Sequence, residues 1–152
     1  MSESADLLSA GALTAFRLNG QFLEVAEKLA RPAGLTAAWW QVLGAVLREP
    51  LPVAGIARAM GMTRQGVQRV ADLLVEKGLA EYRPNPAHRR AKLLRQTAAG
   101  LEAIGRIVPG HQEFADRLVE ELGMAGAREC LESLQRLSAA LERLSEQSPP
   151  QP

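Results

Sequence analysis

Apolar residues recur at helical spacing over residues 5–30, as Leu8, Ala12, Leu13, Phe16, Phe22, Leu23, Ala26 and Leu29, and predict one long amphipathic helix. Arg31-Pro32-Ala33-Gly34 stops it, because proline cannot continue a helix and glycine frees the turn. Thr36 is placed to cap a second helix, which carries Trp39, Trp40, Leu43, Val46 and Leu47 and runs to Glu49-Pro50. Pro52 fits the first turn of a short third helix with Val53, Ile56, Ala57 and Met60 on its apolar face. Gly61 supplies a turn residue able to take positive φ. Thr63 then caps a fourth helix through Lys77, with Val67, Val70, Leu73 and Leu74 on its inner face, and Gly78 suits a left-handed cap at its end. Two helices joined by so short a turn make a helix-turn-helix.

The pattern changes period after Gly78. Residues 79–83 predict a short strand and residues 92–95 its partner, with Pro84-Asn85-Pro86-Ala87-His88-Arg89-Arg90 as the turn-rich loop between them. A hairpin directly after a helix-turn-helix is a wing. Thr97 opens another helix with Leu101, Ile104 and Ile107 on one face, which Pro109-Gly110 should kink without necessarily ending it. A loop over 123–126 leads to the last helix and its stripe of Leu131, Leu134, Leu137, Leu141 and Leu144. That stripe, like the one around Phe16, is too apolar to face water and predicts a homodimer built from the first and last helices. The fold class is therefore mainly α with a small β-hairpin wing, a winged helix-turn-helix flanked by N- and C-terminal dimerisation helices. The expected division is an N-terminal dimerisation helix over 1–34, the winged helix-turn-helix over 35–96, C-terminal dimerisation helices over 97–146 and a disordered tail over 147–152.

Composition narrows the class. With 152 residues, 47% of them hydrophobic, the chain can bury a core. Glu3 and Asp6 stand where a signal peptide would carry basic residues. The apolar stretch 35–47 is broken by Thr36, Gln41 and Gly44 and falls short of the ~20 residues a membrane span needs. A single cysteine, Cys130, excludes an internal disulfide framework and reads as a small buried hydrophobe. A soluble cytoplasmic protein with no membrane partner is expected. Charge is more telling. Residues 58–95 hold nine basic residues against three acidic ones, a formal +6, so a whole-chain charge of +1 leaves the remainder at −5. Such a concentration is the footprint of a polyanion, since lysine and arginine displace counterions from phosphates.

The chain resembles the MarR family of winged-helix transcription regulators. The resemblance is carried by Gly34-Leu35-Thr36, Ile56-Ala57-Arg58-Ala59-Met60-Gly61-Met62-Thr63-Arg64-Gln65-Gly66-Val67, Leu73-Leu74-Val75-Glu76-Lys77-Gly78-Leu79, His88-Arg89-Arg90-Ala91-Lys92-Leu93 and Thr97-Ala98-Ala99-Gly100. It implies a homodimer whose terminal helices interdigitate, and DNA release on binding a small, often aromatic, anion. Two positions depart from the family pattern. His88 stands where an aspartate usually precedes the arginine pair, and Gln96 replaces an apolar residue, which should loosen the wing against the core.

Arg64, Gln65, Gln68 and Arg69 are spaced to share the face of the fourth helix opposite Val67, Val70 and Leu74, where they would enter the major groove of double-stranded DNA. Arginine can donate twice to guanine and glutamine can pair with adenine. Thr63 can serve as cap and phosphate contact, and Arg89 and Arg90 resemble minor-groove arginines at a wing tip. The alternative is a solvated basic face, with Arg69 paired to Asp72. Gly66, unusual so early in a helix, admits close approach to DNA or simple drift. For a small effector, Phe16, Arg17, Trp39, Trp40 and His111 are the candidate liners of a cleft, the two tryptophans pointing to different sides of their helix. His88, His111 and Cys130 lie at no metal-ligand spacing, and neither a catalytic triad nor a phosphate loop stands out, so no metal, cofactor or enzyme is expected. The leading function is a DNA-binding repressor on an inverted-repeat operator. A winged-helix module that binds another protein is the alternative.

Overall fold

The computed structural model describes residues 2–147. Its elements are α1 (Glu3–Ala30), a single 3-10 turn (Arg31–Ala33), α2 (Ala37–Ala45), β1 (Leu51–Pro52), α3 (Val53–Met60), α4 (Arg64–Glu76), β2 (Ala80–Arg83), β3 (Leu93–Gln96), α5 (Ala98–Leu122) and α6 (Met124–Gln147). The winged helix-turn-helix is thus present, mostly helical with one small antiparallel sheet. The tail expected over 147–152 lies outside the described residues apart from Gln147, which closes α6. No described helix is long and apolar enough to cross a membrane.

Local chemistry sets the boundaries. Ser2 accepts the Ala5 amide at 3.2 Å, and Glu3 and Asp6 place negative charge in the first turn of α1. The N-terminus of α2 is capped twice. Thr36 Oγ1 accepts from Trp39 N at 3.1 Å, and Glu27 of α1 accepts from Ala37 N at 2.8 Å. Gly61 and Gly78 both adopt left-handed φ, 63° and 75°, where a side chain would be strained. Pro109 lies inside α5, which continues through it to Leu122.

Three expectations needed correction. The second helix ends at Ala45 rather than near Glu49; the Val46 and Leu47 amides bond back to Leu43 and Gly44 at 3.3 Å, a tightened last turn. Pro50 has no N–H with which to extend that helix. Leu51 and Pro52 are not helical but form β1, an edge strand in the order β1-β3-β2 with Leu51 opposite Leu94. Proline biases its predecessor to extended backbone and is tolerated at a sheet edge. Finally, there is no loop over 123–126: Gly123 alone, at φ 74°, separates α5 from α6.

The chain forms two compact units, the first ending at Pro109 and the second starting at Gly110. In the first, Val42, Leu43 and Val46 from the end of α2, Ile56 of α3, Val67 and Leu74 of α4 and Leu94 of β3 are fully buried. Ala103 and Ile107 of α5 close the same core. The second unit, described from Gly110 to Gln147, contains no buried residue.

Gln96 on β3 carries a buried Oε1 with no hydrogen-bond partner among the described residues. An orphaned acceptor costs its desolvation, so Gln96→Leu is expected to stabilise the protein by about 1–2 kcal/mol. Urea unfolding of the two proteins measures this, and a less stable leucine variant would show that the amide is satisfied in solution.

Candidate nucleic-acid interface

The interface begins at the N-terminus of α4. Val67, Val70, Ala71 and Leu74 turn inward, which leaves Thr63, Arg64, Gln65, Gln68 and Arg69 exposed along the other side. Thr63 Oγ1 accepts from Gly66 N at 3.0 Å, so its hydroxyl keeps a proton to donate outward. The same contact accounts for Gly66. A Cβ there would sit 2.9 Å from Thr63 Oγ1 and crowd the cap, so local geometry alone favours glycine.

The wing projects a second basic group. Asn85 organises its turn, accepting from Ala87 N at 3.0 Å through Oδ1 and from His88 N at 3.2 Å through its carbonyl. His88, Arg89 and Arg90 follow at the tip, all exposed. Charge is unevenly neutralised across the region. Glu81 on β2 takes Arg83 at 3.0 Å and Arg95 at 3.6 Å, and Lys92 stands 5.9 Å above the Tyr82 ring. Among the described residues, the side chains of Arg64, Arg69, Arg89 and Arg90 have no ion-pair or hydrogen-bond partner. The sheet's arginines are occupied, and those of α4 and the wing tip are available.

Helix α4 and the wing are tied together by three side chains. Gln68 Nε2 donates to Asp72 Oδ1 at 3.0 Å and to Tyr82 Oη at 2.9 Å, while the Tyr82 hydroxyl donates to the same Asp72 oxygen. Burial, then the Asp72 hydrogen bond and charge, push the Tyr82 phenol up to about 12, opposed by the bond from Gln68. The phenol therefore keeps its proton at neutral pH. Asp72 is thus engaged with Gln68 and Tyr82, and the Arg69–Asp72 pair allowed by their spacing does not form. The spacing of Gln68 and Asp72 is visible in the sequence as a helical i, i+4 pair, but Tyr82 reaches them only through the fold. Beside this group lies a cleft of about 610 Å³ whose walls include Arg64, Gln65, Gln68 and Asp72 of α4 and Tyr82, Arg90 and Lys92 of the wing.

The effector candidates are dispersed. Trp39 and Trp40 are both half-buried and pack against the core of the first unit. Phe16, 71% exposed, and Arg17 lie on the surface of α1, and His111 is exposed in the second unit. A cleft of about 600 Å³ beside α2 is lined by Asn19, Leu23, Glu24, Glu27, Gln41 and Met62 among others, and by none of those five. Cys130, expected to be buried, is exposed on α6, a helix with no buried residue.

Comparison with known proteins places this geometry. The model of the MarR family matches residues 33–91, from the turn after α1 through the wing tip. An uncharacterized protein of Mycobacterium tuberculosis is 39% identical over 127 residues, covering 84% of this chain and 89% of its own. Among solved structures, CouR from Rhodococcus jostii bound to p-coumaroyl-CoA superposes with a TM-score of 0.66 at 25% identity, over 90% of this chain and 92% of that one. A mutant MarR from E. coli complexed with operator DNA superposes with a TM-score of 0.72 at 19% identity, over 90% and 99%.

Proposed function

The chain belongs to the MarR family of winged helix-turn-helix transcription regulators, and from that premise we propose that it binds an inverted-repeat DNA operator as a homodimer and represses until a small effector releases it. The observation that carries the DNA reading is the set of exposed, unpaired arginines, Arg64 and Arg69 on α4 and Arg89 and Arg90 at the wing tip. Arg64, Gln65, Gln68 and Arg69 enter the major groove, and Thr63 donates to a phosphate. Arg89 and Arg90 reach the adjacent minor groove. The sugar-phosphate backbone is the ridge between the two grooves, so it runs through the cleft between α4 and the wing, where Arg64, Arg90 and Lys92 supply positive charge.

Dimerisation is supported by the apolar faces of α1 and α6 and by the absence of any buried residue among those described beyond Pro109. A two-fold dimer expects half-sites about 10 bp apart, one turn of the duplex. The effector reading rests on the CoA-thioester-bound CouR as a fold relative. Trp39 and Trp40, half-buried in the first unit, are its proposed contacts, and quenching of the two tryptophans on titration with aromatic acids or their thioesters is the readout.

Helix and wing should respond differently to mutation. Arg64→Ala is expected to cost about 1–3 kcal/mol on the best site and to flatten base preference at particular positions, because base edges differ. Arg90→Ala should weaken all duplexes evenly and reduce the salt slope by about 1 per lost phosphate contact. Fluorescence anisotropy on matched and mismatched duplexes at several salt concentrations measures both. If Arg90→Ala abolishes discrimination and Arg64→Ala spares it, the two roles are reversed. Absence of salt-dependent binding across many duplexes would instead favour a protein-interaction module.

A further inference from the structure

Glutamine in a recognition helix is ambiguous, because its amide can offer a donor, an acceptor or both. Here that ambiguity is removed by its neighbours. A carboxylate can only accept, so the atom of Gln68 that meets Asp72 Oδ1 at 3.0 Å must be the nitrogen. The Tyr82 proton is spent on the same carboxylate, so Tyr82 Oη can only accept from Gln68, at 2.9 Å. Both amide protons of Gln68 are therefore used within the protein. Its Oε1 accepts nothing from any described residue.

We propose that Asp72 and Tyr82 set the base specificity of Gln68 by turning its amide so that only the acceptor Oε1 is offered to DNA. The inference rests on the DNA-binding reading above and sharpens it. An acceptor in the major groove is matched by an exocyclic amino group, N4 of cytosine or N6 of adenine. Guanine and thymine oppose it with O6, N7 or O4, which are themselves acceptors. The two-bond pairing of glutamine with adenine, which needs the amide nitrogen free to meet N7, is withheld while the network stands. Gln68 then reads an amino group and does not distinguish adenine from cytosine. Phosphate oxygens are acceptors too, so Gln68 in this state cannot serve as a backbone contact. Asp72 and Tyr82 are positioning residues, acting through Gln68 without touching a base.

The test selects bound duplexes from a random pool with the full-length protein, its Gln68→Ala variant and an Asp72→Ala/Tyr82→Phe double variant. Gln68→Ala identifies the base pair that Gln68 reads by flattening it. At that position the wild type is expected to accept adenine and cytosine on one strand, each at least about fivefold over guanine and thymine. The double variant frees the amide, so the preference should narrow to adenine there and stay unchanged elsewhere. Loss of the Asp72 charge should raise affinity for every duplex evenly, a shift separable from preference. Tyr82→Phe alone keeps the ring in the sheet and serves if the double variant melts early; it should move the same position in the same direction. The proposal is overturned if Gln68→Ala alters no position, or if releasing the amide leaves the wild-type preference in place while the protein still binds its site. A wild type that binds no duplex removes the DNA function and this inference together, an outcome recognisable before any variant is made.

Discussion

Gly100→Ala is expected to lower the melting temperature by roughly 6–12 °C, corresponding to about 3 kcal/mol at 2–4 °C per kcal/mol for a chain of this size. The usual expectation has the opposite sign, since replacing glycine by alanine inside a helix gains about 1 kcal/mol. Sterics decide the case. A Cβ on Gly100 would lie 2.1 Å from the Leu79 carbonyl oxygen and 3.1 Å from its carbon, both backbone atoms. Neither can swing aside. The Thr97 amide donates to that oxygen at 3.1 Å, and the Thr97 hydroxyl donates to the Gly78 carbonyl at 2.6 Å while accepting from Gly100 N at 3.2 Å. The start of α5 is thus bonded to the turn between α4 and β2, and the added methyl group must break those bonds or displace the wing. Gly105 supplies the control: it is exposed in the same helix, and a methyl group added there would meet nothing within 4 Å, so Gly105→Ala should be neutral or stabilising. Melting curves of both variants check the pair. A Gly100→Ala protein that melts at or above the wild type would mean that α5 does not approach Leu79 so closely.

What can be read from the chain is what is decided within a few residues. The caps at Thr36 and Thr63 and the left-handed glycines at 61 and 78 are local features, and the structure has each where the sequence places it. The inner face of α4 follows from its 3.6-residue period, and so does the exposure of Thr63, Arg64, Gln65, Gln68 and Arg69. Features made by distant pairing are not legible. β1 exists only because Leu51 and Pro52 meet β3, and two residues carry no strand signal of their own. Asp72 has a plausible partner in Arg69 three residues away, but a tyrosine ten residues away in β2 competes for it and wins. Cysteine is usually buried, yet Cys130 is not, on a helix with no buried residue. That last failure is itself informative.

Leu134→Asp combined with Leu141→Asp is expected to give a monomer of 16.4 kDa and to weaken operator binding by about 10²–10⁴-fold, the gain that a second linked half-site ordinarily supplies. In the single chain these leucines are 43% and 52% exposed, and Leu131 and Leu137 beside them are open to a similar degree. If the chain were monomeric, aspartate at either place would meet water and change stability by no more than about 0.5 kcal/mol. If a second copy covers α6, the two substitutions bury four uncompensated carboxylates in one dimer, which is prohibitive without partners. The two cases therefore differ widely in the size of the effect. The winged helix should survive, since its core is built from residues before Pro109 and contains neither leucine. Non-specific, salt-dependent DNA binding should persist in the variant accordingly, while preference for a two-fold symmetric site is lost. Light scattering across a concentration series, followed by anisotropy on symmetric and single half-site duplexes, measures all of this. A wild type that scatters as 16.4 kDa at micromolar concentration, or a double variant that still assembles, would remove the dimer and with it the inverted-repeat operator.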